Sequence, residues 1–180
     1  MEGFMTRELQ HEYIVAKVPL EKHSDHAILT LNGNENITDK LYFWQLYSIL
    51  GEAKIRQFIT EFYTNLFDEG ENIQFIKTFK DLGSIEHHIS GQTNFWLDAM
   101  GGGKKYAGGK FRLQRHHDLA KNIMNAKGAV SWLGHMRHTL NTTLVDFTDD
   151  PRVKPCILDF LNHFLEKYGE QYGFTLHSRL

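Results

Sequence analysis

The chain has 180 residues, 41% of them hydrophobic, with one cysteine and a formal charge of -2 at pH 7. That length suits one domain able to bury a core without metal or disulfide staples. The near-neutral charge leaves no electrostatic footprint for nucleic acid or anionic lipid, and a lone cysteine, Cys156, excludes an intramolecular disulfide. No apolar run approaches the roughly 18 to 20 residues that span a bilayer, and residues 1–8 lack a basic region followed by an apolar run. The expectation is a soluble, cytoplasmic protein with small-molecule or protein partners, without nucleic acid or membrane.

Residues 1–36 are polar and histidine-containing, ending in the turn-like Asn32-Gly33-Asn34-Glu35-Asn36, and read as an N-terminal extension of little order. Within it, residues 27–31 could form a short strand that finds no partner. Residues 37–180 form the body, a series of helical patterns with too few alternating runs for a sheet. Thr38 is placed to cap a first helix over 38–50, which Gly51 interrupts. A second helix carries Ile55, Phe58, Ile59, Phe62, Tyr63 and Leu66 at helical spacing, so Tyr63 lies on its buried stripe. A turn and short helix with Phe75 and Phe79 fill 69–82.

Ser84 then caps a helix whose inward stripe is Ile85, His88, Ile89, Gln92, Phe95, Trp96 and Ala99. Helical phase separates the neighbouring histidines: His88 points inward and His87 outward. The glycine- and lysine-rich stretch 101–109 lacks the Gly-Lys-Ser/Thr ending of a phosphate loop. A short helix over 111–119 carries the pair His116-His117, and a longer one begins near Asn125 with Ala129, Trp132, Leu133, Met136 and Leu140 along one side. Asp150 and Pro151 mark the start of the last helix, whose stripe is Val153, Ile157, Phe160, Leu161, Phe164 and Tyr168, and Gly169 and Gly173 close it. The fold class is all-α.

Tyr63, His88 and Gln92 interrupt apolar stripes. Burying each unpaired would cost about 1 to 3 kcal/mol, so they should share partners. Taken singly, Tyr63, Phe95 and Trp132 are ordinary core residues and Gln92 could satisfy a carbonyl. Together they suit a diatomic ligand at a ferrous haem, because phenol, amide and indole groups all donate to a partly negative oxygen. A histidine on a short segment between apolar helices is how many all-α proteins hold haem iron.

The constellation resembles a truncated haemoglobin of the second group. The resemblance rests on Phe62-Tyr63, Gln92 before Phe95, the glycine pair Gly101-Gly102, Leu113 four residues before His117, and Trp132-Leu133 with Met136, and it covers residues 40–168. It implies a two-over-two helical sandwich around haem b, with N-terminal and C-terminal extensions. It makes His117 the proximal iron ligand and Tyr63 the distal donor, with Gln92 and Trp132 completing a polar pocket. His88 falls at the distal gate, where it could donate to ligand or bind iron as a sixth ligand. Phe79 would wedge against the haem, Phe95, Phe111, Leu113 and Met136 would make apolar contacts, and Arg115 and Tyr106 would meet the propionates.

The family's proline-phenylalanine pair after the proximal histidine is replaced by Asp118-Leu119-Ala120-Lys121. That leaves His116 open as the alternative ligand, with a place near a propionate if His117 binds iron. The function implied is reversible binding of dioxygen and other diatomic ligands such as nitric oxide and carbon monoxide, in a monomer or homodimer. Two alternatives stay open. One is a nitric oxide dioxygenase or peroxidase-like enzyme on the same site, served by a reductase. The other is a non-haem metal protein using His88, His116 and His117.

Overall fold

In a computed structural model of the chain, which describes residues 33, 36–68, 73–103, 125–143 and 146–176, every regular element is helical. A 3-10 turn, Phe43–Gln45, leads into α1 (Leu46–Asp68); α2 (Ile73–Leu82), α3 (Ile85–Ala99), α4 (Ala126–Thr142) and α5 (Val153–Tyr172) follow. The strand-like 27–31 and the short helix over 111–119 lie outside the described residues. Among those described, no helix is long and apolar enough to cross a membrane.

The helix starts follow local hydrogen-bond chemistry. The Ser84 hydroxyl accepts from the His87 N–H at 3.3 Å, the cap expected there, and the helix expected to begin near Asn125 does so, Asn125 Oδ1 accepting from the Gly128 N–H at 3.0 Å. Thr38 does not cap. Its N–H and hydroxyl both donate to Asn36 Oδ1, at 3.1 and 2.9 Å, closing a turn ahead of the helix. Regular structure starts instead after Tyr42, whose N–H donates to the Gln45 side chain at 2.9 Å. Gly51 breaks α1 as expected: its φ of 73° and ψ of 165° are closed to other residues, and the chain turns there between two helical stretches. At the other end of the chain Gly173, left-handed at φ 72°, closes α5, while Gly169 is buried inside the helix.

Packing places α1 against α3 and α4, and α4 against α5. The contacts are largely aromatic. Phe58 of α1 meets Trp96 of α3 edge-on at 5.7 Å, and Phe43 stacks on Phe160 of α5 at 3.7 Å. Ile59, Leu66, Leu97, Met136, Leu140 and Ile157 are fully buried around them. The glycine pair after α3 docks that helix on the start of α1. Gly102 N–H donates to the Leu97 carbonyl at 2.7 Å, and Tyr47 N–H donates to the Met100 carbonyl at 2.9 Å. A Cβ on Gly102 would lie 2.6 Å from the Tyr47 ring and 2.8 Å from the Leu97 oxygen, so the close approach requires glycine.

Polar ties fix the periphery. Lys54 donates to the Phe147 carbonyl and Thr143 to the Glu61 carboxylate, joining α1 to the segment after α4. Arg152, just before α5, forms a fork with the Asp150 carboxylate at 2.9 and 2.6 Å. Its guanidinium also donates to the carbonyls of Gly33, Asn36 and Asp39 at 2.6, 2.8 and 2.9 Å. Gly33 itself is buried, its N–H donating to Ser48 Oγ at 2.9 Å. Gly33, Asn36 and Asp39, ahead of the first helix, are thus seated on the start of the last.

Candidate functional site

Helix α3 carries two kinds of inward residue. Thr93, Trp96, Leu97 and Met100 at its end are buried in the core, while His88, Gln92, Phe95 and Ala99 form an adjacent stripe on which only His88 is fully buried. That stripe runs alongside Tyr63, which α1 presents with 3% of its surface exposed. The two side chains meet. The Tyr63 and His88 rings stack at 5.6 Å between centroids and 16° between planes. Phe67, one turn beyond Tyr63, and Phe79 of α2 close around the imidazole at 5.8 and 5.6 Å.

Burial holds the Tyr63 phenol proton well above the ordinary tyrosine range, and the nearby Tyr168 of α5 adds to the effect. Tyr63, neutral near pH 7 as any tyrosine is, thus stays an O–H donor into more alkaline solution than a free one. His88 Nε2 lies 2.9 Å from the Phe79 carbonyl oxygen. A carbonyl can only accept, so Nε2 carries the proton and is spent on the backbone of α2. In this arrangement that nitrogen neither donates to a distal ligand nor offers a lone pair to iron.

Trp132 of α4 joins through an intermediary. Its indole is half-buried and meets Phe62 edge-on at 5.2 Å, and Phe62 meets Tyr63 at 5.0 Å. Met136, one turn further along α4, is fully buried. Gln92 is half-buried, one turn past His88. Phe95 packs toward α5, its ring 5.6 Å from Phe164 and 6.3 Å from Phe160. Six of the candidates, Tyr106, Phe111, Leu113, Arg115, His116 and His117, lie outside the described residues. Two neighbours were not among the site residues expected from sequence. Phe67 stands four residues after Tyr63 on the same helical face, and Tyr168 ends the apolar stripe of α5, so helical phase carried a signal for both. Among the described residues no group of three or more His, Cys, Asp or Glu side chains is placed to hold a metal ion.

The chemistry of this donor set suits a largely apolar cofactor with a polar ligand beside it. The walls are aromatic and aliphatic, and the buried phenol supplies a donor that cannot be lost by ionisation near neutral pH. A haem fits those requirements. Comparison with protein families matches residues 45–165 to the bacterial-like globins. No curated protein and no solved structure matches the chain. The family match spans most of the chain and includes Tyr63, His88, Gln92, Phe95, Trp132 and Met136. The chain belongs to the bacterial-like globin family, all-helical proteins whose cofactor is haem and whose ligands are diatomic gases.

Proposed function

We propose that this protein is a truncated haemoglobin of the second group that holds haem b and reversibly binds dioxygen, with nitric oxide and carbon monoxide as further ligands. The observation that carries the reading is Tyr63: a buried phenol on the helix face that looks onto the stripe of α3, its ring stacked on His88. Haem, when bound, would supply a ferrous iron able to take a diatomic ligand. The chain's residues do the rest. Tyr63 donates its O–H toward that ligand, and the Trp132 indole, braced by Phe62, and the Gln92 amide are the further donors. Phe79, Phe95 and Met136 exclude water from around the macrocycle.

His117 is the proposed iron ligand, with Phe111 and Leu113 as apolar contacts. Arg115, Tyr106 and His116 are the proposed partners of the propionates. The test is titration of the purified chain with haemin. A saturable Soret band with one equivalent supports the reading, and its absence ends it. His117→Ala should then abolish tight haem uptake while His116→Ala retains it; the reverse pattern would move the ligand to His116. Slow oxygen release without nitric oxide turnover marks a binding protein, whereas turnover with an electron donor would mark an enzyme on the same site.

A further inference from the structure

An α-helix leaves its last four carbonyls without intrahelical partners. Phe79 is one of that last turn in α2, and its oxygen is taken by His88 Nε2–H at 2.9 Å. Only Gly83 and Ser84 separate α2 from α3, and His88 sits in the first turn of α3. One bond therefore joins the end of one helix to the beginning of the next. The Gly83 N–H closes the same corner on the Lys80 carbonyl at 3.3 Å. The imidazole held by this bond is the ring on which Tyr63 stacks, 5.6 Å away and nearly parallel. Phe67 and Phe79 hold it from the other sides.

We infer that His88 is a positioning residue: it caps α2 through the Phe79 carbonyl, fixes the Tyr63 ring by stacking, and stays off the haem iron. This rests on the haem reading of the site given above. The protonated Nε2 has no lone pair to give. Nδ1, beside Cγ, is tied closer to its own helix and reaches less far. The ligand side is thus left to Tyr63, Gln92 and Trp132, and the ferric protein lacks His88 as a sixth ligand.

The experiment compares the full chain with His88→Ala and His88→Gln, each with and without added haemin. Glutamine retains an amide N–H near the position of Nε2 and can still donate to a carbonyl. Without haemin, His88→Ala should melt about 2 to 4 °C lower, the shift that loss of one hydrogen bond gives in a chain of this size. Amide exchange over 80–84 should also be several-fold faster, and His88→Gln should restore both. With haemin, wild type and His88→Ala should share one ferric spin state, and after reduction with dithionite, its removal and exposure to oxygen, His88→Ala should release oxygen several-fold faster because Tyr63 has lost its stacking partner.

A low-spin wild-type ferric spectrum that becomes high-spin in His88→Ala would overturn the inference, as would a glutamine variant melting as low as the alanine one. If the wild type takes up no haem, the haem reading fails, and the inference that depends on it fails with it. The melting and exchange comparison still decides the Phe79 cap separately.

Discussion

Tyr63 is the side chain on which the proposed ligand chemistry turns, and burial rather than a charged partner defines its state. With its proton held more tightly than that of a free tyrosine, it donates and does not ionise. Replacing it with phenylalanine keeps the ring that meets Phe62 and His88 and removes only the hydroxyl. In the haem-loaded protein Tyr63→Phe should speed oxygen dissociation by about tenfold or more, the factor corresponding to about 1.4 kcal/mol, within the worth of a hydrogen bond to a partly charged acceptor. Stopped-flow displacement by carbon monoxide measures this, and an unchanged rate would remove Tyr63 from the ligand. The inward setting of Tyr63 and His88 was legible because helical phase is a local property. The use to which His88 puts its Nε2 was not, since the acceptor is a backbone carbonyl that no side-chain pattern announces.

At the scale of the element, glycine marks the places where two backbones must come close. Gly102→Ala would drive a Cβ to 2.6 Å from Tyr47 and 2.8 Å from the Leu97 carbonyl, and a carbonyl cannot swing away as a flexible side chain can. The α3 end would have to lift from α1, at a cost of about 1 to 3 kcal/mol. Gly134, exposed within α4, has nothing within 4 Å of an added Cβ. Gly134→Ala should therefore stabilise by about 0.5 to 1 kcal/mol through helix propensity. Denaturant melts of the two variants should move in opposite directions, and a matched shift would contradict the close packing. The same distinction explains which element boundaries the sequence disclosed. Ser84 and Asn125 cap through donors three residues away, so their roles follow from local spacing. Thr38 failed because it lies in a turn closed on Asn36, ahead of the helix, so no helical N–H groups follow it for its oxygen to accept from. Arg152 binds carbonyls more than a hundred positions away, which only the assembled fold brings to it.

For the whole molecule, two side chains at the start of α5 set opposite limits on stability against pH. Hydrogen bonding from Arg152 holds the Asp150 carboxyl below its ordinary value of 3.8. A depressed folded value favours the native state above the unfolded one, so that contribution is lost as pH falls below about 4 through the folded value. Asp150→Asn should cost stability at neutral pH yet flatten the acid arm, and it loosens the clamp on Gly33, Asn36 and Asp39. Cys156 acts at the other end. Burial, with Asp159 nearby, pushes its thiol from 9.0 up to about 12, and its Sγ faces the Leu41 carbonyl at 3.6 Å. Here the native state holds the proton more tightly, so the unfolded chain ionises first and stability declines from about pH 9 upward, until the folded thiol also ionises. Over the single unit from pH 9 to 10 that decline amounts to about 1 kcal/mol. Cys156→Ala removes the titrating group, so its unfolding free energy should fall by about 1 kcal/mol less than the wild type's across that unit. Parallel curves for the two proteins would mean that the thiol is as free to ionise in the fold as in the open chain.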